Sequence, residues 1–239
     1  MNQRAKGSAP DKRSVGRLGE IAAGDASPEV GWIASEVQAE FPELRLMALE
    51  LAARPGPSPQ PVRDRLRQLS NRFHGAQAIT LRREPIPSAY RIFFRHIGLD
   101  PDATRPPAEA AVLDRLLHGG FRSQNLLDDA LLLALLDTGI PIWALDAARV
   151  EGPLGIRVSR RGERLGRSAQ APRLPAGRLV VADAASAVAV LFGDLAPEHG
   201  VSPATTGMRL FCIQVAGVPS IHVEEALWTC SEILSEQPD

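Results

Sequence analysis

Asn125–Asp146 reads NLLDDALLLALLDTGIPIWALD, and the order of its parts decides how the rest of the chain is read. An asparagine directly before an apolar run is a favoured helix N-cap, because its side chain can accept an orphan backbone N–H. From Leu126 to Leu136 the apolar residues go all round the helical wheel, which predicts a helix buried on every side. Gly139-Ile140-Pro141 reads as a Gly-x-Pro turn, after which the pattern changes to strands. Ile142–Leu145 then reads as a strand that closes on Asp146. A second stretch, RLVVADAASAVAVLFGD (Arg178–Asp194), contains two short apolar runs around Asp183. These predict strands over Arg178–Ala182 and Ala187–Leu191.

Working outward, Glu29–Phe41 is expected to be one helix with Ile33, Val37 and Phe41 on its stripe. Leu44–Leu51 alternates like a strand, and Arg54–Pro61 (RPGPSPQP) is a proline-rich turn. Further helices are expected over Val62–His74, Ala89–Ile97 and Ala108–Leu117. Ile92, Phe93 and Ile97 are expected to face the core from the second of these, and Val112, Leu113, Leu116 and Leu117 from the third. Strands follow at Leu154–Ser159 and Arg209–Ala216, then a helix over Val223–Ser235. Helices dominate the first half and strands the second, without regular βα alternation. The expected class is therefore α+β, with first-half helices packed on a mostly antiparallel, barrel-like sheet from the second half. Residues 29–239 read as one domain. Met1–Pro28, rich in Gly, Ser, Ala, Lys and Arg, reads as a disordered arm.

The net charge of −1 over 239 residues excludes nucleic-acid binding by bulk electrostatics, so any RNA contact must be a local patch. The best such patches are Arg82-Arg83 and, the longer of the two, GIRVSRRGERLGR (Gly155–Arg167), with Arg157, Arg160, Arg161 and Arg164. The latter reads either as a resting place for an RNA backbone or as a solvated hairpin. The five histidines show no metal-ligand spacing, so no metal and no cofactor are expected. The chain also has no G-x-S-x-G, G-x-G-x-x-G or Walker pattern. Cys212 and Cys230 read as buried thiols of a cytosolic protein. The N-terminus has no apolar core of a leader, and Ala130–Leu136 is far shorter than the ~20 residues that span a bilayer. A soluble, cytoplasmic protein is expected.

The series of motifs resembles the B3/B4 domain of the β subunit of bacterial phenylalanyl-tRNA synthetase, and the freestanding proteins built on it. Phe41-Pro42-Glu43-Leu44 looks like the entry of the freestanding versions. Ala89-Tyr90-Arg91, Gly98 and Arg105-Pro106 look like their "YR…G…RP" segment. Asn125 and Asp129 match an Asn-x-x-x-Asp, Gly139 and Pro141 a G-x-P turn, and Asp146 the aspartate that closes it. Ile156-Arg157, Gly162-Glu163, Val181-Ala182-Asp183 and a threonine at 205 or 206 continue the series to about residue 235. The resemblance implies a B3/B4 fold, binding of aminoacylated tRNA, and hydrolysis of a mischarged ester in trans. It is incomplete inside the motif. Synthetase versions carry Thr-Asn where Leu131 and Leu132 stand, and His where Trp143 stands. Leucine neither donates nor accepts a hydrogen bond, so tyrosine cannot be recognised here in the family's way.

Each candidate residue carries two readings. Asn125 and Asp129 either orient the tRNA acceptor end as the catalytic pair or cap the helix that follows. Leu131, Leu132, Trp143, Asp146 and Asp183 either line a substrate pocket or, for the two aspartates, accept backbone hydrogen bonds in turns. Arg157 either meets phosphate or pairs with Glu163. Three functions stay open: an aminoacyl-tRNA deacylase, a non-catalytic module for tRNA or a partner protein, and a pocket for a free amino acid.

Overall fold

The computed structural model describes residues 27–73 and 75–236. Nearly all of the expected arm Met1–Pro28, and His74 at the end of an expected helix, lie outside them.

Eight strands and seven α-helices are formed among these residues. The strands are β1 (Glu29–Val30), β2 (Trp32–Ile33), β3 (Arg45–Leu51), β4 (Ile142–Asp146), β5 (Gly155–Val158), β6 (Leu179–Ala182), β7 (Ala187–Val190) and β8 (Met208–Gln214). The helices are α1 (Ser35–Glu40), α2 (Gln60–Arg72), α3 (Gly75–Leu81), α4 (Pro85–His96), α5 (Pro107–His118), α6 (Leu126–Thr138) and α7 (Ser220–Ser235). The α+β class holds, but the barrel-like sheet does not. The strands make two open four-stranded sheets, β1-β3-β8-β4, antiparallel throughout, and β2-β5-β6-β7, antiparallel except for the β2–β5 pair.

The first sheet is the middle layer. Most of β3 and β8 is buried, and consecutive residues on both strands are apolar, as expected of strands covered on both faces. On one side β8 and β3 meet α7, which packs along α6, and Cys212 of β8 neighbours Cys230 of α7. On the other side Phe211 of β8 stacks on Trp143 of β4, which in turn meets Phe192 just beyond β7. One apolar core runs through both sheets, from Leu46 and Leu145 to Ile156 and Val188.

Three departures from the expected elements have local causes. Glu29–Phe41 is helical only over α1, because Gly31 and its neighbours are taken into ladders. Gly31 N–H donates to the Leu46 carbonyl at 2.8 Å and Trp32 N–H to the Leu154 carbonyl at 3.2 Å. A side chain at 31 would run into that carbonyl and the Leu46 methyls. α4 starts at Pro85, four residues before the expected Ala89, since Pro85 and Pro87 occupy the first turn, where no N–H is needed. Its buried face is Tyr90, Arg91, Phe93 and Phe94, which leaves Ile92 49% exposed. On α5, Val112 is buried but Leu117 is 72% exposed, because the helix meets its neighbours along one side only. α3 has no counterpart among the expected elements.

The Tyr90-Arg91 pair fastens α4 in place. The Tyr90 hydroxyl donates to the Ile213 carbonyl at 2.8 Å. Buried Arg91 donates to both Glu109 oxygens, at 3.1 and 2.9 Å, and to Asp102 at 2.8 Å, which ties α4 to α5.

Candidate functional site

Asn125 is the N-cap of α6. Its side-chain oxygen accepts the Asp128 N–H at 3.0 Å, and its amide donates to the Asp128 carboxylate at 2.7 Å. Asp129, one turn in, is 1% exposed. It accepts three hydrogen bonds, from the Ser58 hydroxyl at 2.5 Å, the Ser123 hydroxyl at 2.6 Å and the Gln124 N–H at 3.0 Å. The carboxylate therefore clamps the proline-rich loop to the positive end of α6. Gly139 ends the helix in the left-handed conformation, with its N–H on the Leu135 carbonyl.

Inside the motif the surroundings are carbon. Leu131 and Leu132 are half-buried against the main core. Trp143 stacks on Phe211 (centroids 5.5 Å apart, planes at 15°) and meets Phe192 edge-on at 5.7 Å. Phe192 is the one non-glycine residue with positive φ (+57°) among the described residues. Its ring also contacts Tyr90, Phe93 and Phe94, so six aromatic side chains fill the space between β4, β8, α4 and the end of β7. Nothing in the sequence singled out Phe192, because its conformation has no signature in residue type.

Asp146 and Asp183 end strands of different sheets and belong to one polar network. Asp146 accepts the Ala148 N–H at 3.1 Å and the hydroxyl of Thr205, buried unlike exposed Thr206, at 2.7 Å. Arg149 lies 3.5 Å from Asp146 and donates to the Glu198 carbonyl at 2.8 Å. The Glu198 carboxylate accepts the N–H groups of Arg167 and Ser168. The Arg167 guanidinium bridges Glu151 at 2.5 Å and Asp183 at 3.1 Å. Asp183 also accepts the N–H groups of Glu151, Ala185 and Ser186 at 2.7–2.9 Å. Burial alone would raise the Asp183 carboxyl, but these donors and the Arg167 charge hold it below the usual range.

His199 lies against this network, 1% exposed, with Nε2 3.8 Å from Asp183. Burial holds its imidazole below the ordinary range, and the Asp183 charge offsets only part of that. Among the described residues, His199 Nδ1 and the Ser186 hydroxyl have no hydrogen-bond partner. The whole arrangement is a structural tie between the sheets, with its carboxylates already paired.

The arginines divide into two groups. Arg157 forks onto Glu163 at 2.9 and 2.5 Å, which holds the Glu163 carboxyl low. Arg164 donates to the Ala171 carbonyl at 2.5 Å. Arg160 and Arg161 are exposed at the turn. A cleft of about 630 Å³ opens where α2, α3, α5 and the C-terminal end of α6 meet, lined by Phe73, Leu81, Val112, Leu135, Gly139 and His222. Among the described residues no three His, Cys, Asp or Glu side chains converge to hold a metal, and no helix is long and apolar enough to cross a membrane.

A family model described as the B3/4 domain matches residues 89–221, more than half of the chain. Similar proteins include three phenylalanine–tRNA ligase beta subunits. That of Xanthomonas campestris pv. campestris is 41% identical over 68 residues, 28% of this chain and 8% of the relative. That of Xylella fastidiosa is 36% identical over 86 residues, 36% and 10% of the two chains. That of Colwellia psychrerythraea is 33% identical over 116 residues, 47% and 14%. The matched segment thus spans at most about one seventh of these relatives.

Proposed function

The chain belongs to the B3/4 domain family, and from that premise we propose that it is a tRNA-binding module that does not itself hydrolyse the aminoacyl ester. Residues 29–239 form the module, and its place of action is the cytoplasm, where tRNA is charged. The observation that carries this reading is the contrast within Asn125–Asp146. The framework residues Asn125, Asp129, Gly139, Pro141 and Asp146 are kept, and the three positions that would supply polar groups are Leu131, Leu132 and Trp143. Ester hydrolysis needs a positioned water and donors for the developing oxyanion. Leu131 and Leu132 offer neither, and the Trp143 indole, stacked on Phe211, brings a single N–H donor and no acceptor that could activate a water.

A trans-acting deacylase is the second reading, favoured by the match of Asn125 and Asp129 to the family's pair. In that form the two residues orient the acceptor end and the terminal ribose hydroxyl of the tRNA assists the chemistry. The burial of Asp129 beneath the 54–59 loop weighs against it.

One experiment separates them. Fluorescence anisotropy with tRNA at about 50 mM salt is expected to show binding, and a panel of mischarged tRNAs is expected to decay at the uncatalysed rate. Faster decay of any member would establish the deacylase. Absence of binding together with thermal stabilisation by a free amino acid would replace both readings with a small-molecule pocket.

A further inference from the structure

From Arg157 to Arg178 the chain carries seven arginines against one carboxylate, Glu163. That is a formal +6 in a protein of net charge −1, which leaves −7 on the remainder. The segment joins β5 to β6 and is folded. Ser159 N–H donates to the Arg178 carbonyl at 2.7 Å, Leu165 N–H to Pro172 at 3.0 Å and Leu174 N–H to Glu163 at 2.8 Å. Leu165 and Leu174 pack with Val180, Ala187 and Ala196 in a small core of their own. It is a built arm, separate from the main core.

Its charges are not neutralised evenly. Arg157 is matched by Glu163, and Arg167 by Glu151 and Asp183. Among the described residues, Arg160, Arg161, Arg164, Arg173 and Arg178 have no carboxylate within ion-pair distance. Arg164 and Arg173 also stand directly opposite each other as an antiparallel bridge, and like charges so placed repel. A fixed fold that sets five cations together at this cost is suited to an anionic partner.

We propose that this arm is where an RNA phosphate backbone rests, with Arg160, Arg161, Arg173 and Arg178 as the phosphate contacts. The inference rests on the tRNA-binding reading and adds the surface that does the binding. Two features favour RNA over an anionic membrane. All the cations are arginines, whose planar fork matches phosphate oxygens. None of the large exposed apolar side chains lies between 157 and 178, so the arm has nothing to insert into a bilayer. Contacts of this kind are blind to base sequence, so tRNAs of different sequence should respond alike.

The test is the salt dependence of tRNA binding by the full chain. Each phosphate contact contributes about 0.9 to the slope of log Kd against log salt. Replacing Arg160, Arg161, Arg173 and Arg178 with Gln is expected to lower the slope by about 3 to 4. A matched variant with Arg63, Arg67, Arg72 and Arg95 changed to Gln loses the same charge from α2 and α4, and is expected to keep the wild-type slope. If the fourfold arm variant fails to fold, R160Q/R161Q at the turn is expected to lower the slope by about 2. An unchanged slope in the arm variants, or an equal fall in both fourfold variants, overturns the arm while leaving tRNA binding intact. Arm-dependent binding to phosphatidylserine vesicles, with tRNA binding unaffected, also overturns it. Failure of the wild-type protein to bind tRNA at low salt defeats the tRNA-binding reading itself.

Discussion

The Asp129 carboxylate accepts the Ser58 hydroxyl at 2.5 Å across 71 residues of chain, and this bond fixes the proline-rich loop to the start of α6. Replacing Asp129 with Ala leaves the buried Ser58 hydroxyl without an acceptor, and frees the Ser123 hydroxyl and the Gln124 N–H, on exposed residues, to turn to water. Hydrogen bonds to a charged group contribute about 1.5–3 kcal/mol each and do not add fully, so Asp129→Ala is expected to lose about 3 kcal/mol. Asp129→Asn keeps one acceptor oxygen and should lose less. Urea unfolding measures both. Unchanged stability with loss of tRNA binding would return Asp129 to a role at the acceptor end.

Phe192 opposes a backbone cost with a packing gain. Its positive φ costs about 1–2 kcal/mol in a residue with a Cβ, while its ring is held by Trp143, Tyr90, Phe93 and Phe94. Truncating a core Phe costs about 3–5 kcal/mol, and Phe192 is only partly buried, so a loss of about 3 kcal/mol is reasonable for Ala. Glycine recovers about 1 kcal/mol of the backbone term. The expected order of stability is wild type, then Phe192→Gly, then Phe192→Ala. A glycine variant more stable than wild type would mean that strain outweighs packing.

How far the residues predicted the molecule depended on the range of the interactions. The Asn125 cap, the wholly apolar α6 and the Gly139 stop are local, and each was legible from its neighbours alone. β1 and β2 are two residues long and exist only because distant strands accept them, so the apolar stripe of Glu29–Phe41 pointed to a helix instead. The same limit hid the division into two sheets. At the candidate site, Asp146 and Asp183 were visible as residues that end strands. Their connection runs through Arg149, Glu198 and Arg167, and the Glu198–Arg167 link alone crosses 31 residues without any motif. Arg173 and Arg178 lie beyond the basic run Gly155–Arg167 in sequence, and the fold brings them back beside its first half.

Acid should weaken the fold in two pH ranges. Buried His199 has a folded-state pKa below its ordinary value, so on acidification the unfolded chain takes the proton first, near pH ~6.5. Its stabilising contribution is complete above that pH and is lost as pH falls toward the folded pKa. Glu163 and Asp183, also held low, keep their contributions until the unfolded carboxylates protonate near pH ~4 and lose them below it. Urea midpoints are expected to be level above about pH 7 and to decline in these two ranges. In His199→Leu the upper decline should vanish and the lower remain. An unaltered decline from pH 6.5 to 5 in that variant would assign it to another group.

Trp143 occupies the position where synthetase relatives carry histidine, and its indole stacks on Phe211 at 5.5 Å with Phe192 against its edge. Trp143→His removes much of that contact and sets a smaller, more polar ring against Phe211 and Phe192. Large-to-small changes of aromatic residues cost about 3–5 kcal/mol when fully buried, and Trp143 is half-buried, so about 3 kcal/mol is expected. For a chain of this length that lowers Tm by about 6–12 °C. The near-ultraviolet dichroism of the stacked pair should fall with it, and no deacylation should appear. If the substitution instead leaves Tm unchanged and brings hydrolysis of a mischarged tRNA, then the aromatic packing at Trp143 masks a site whose chemistry the remaining framework still supports.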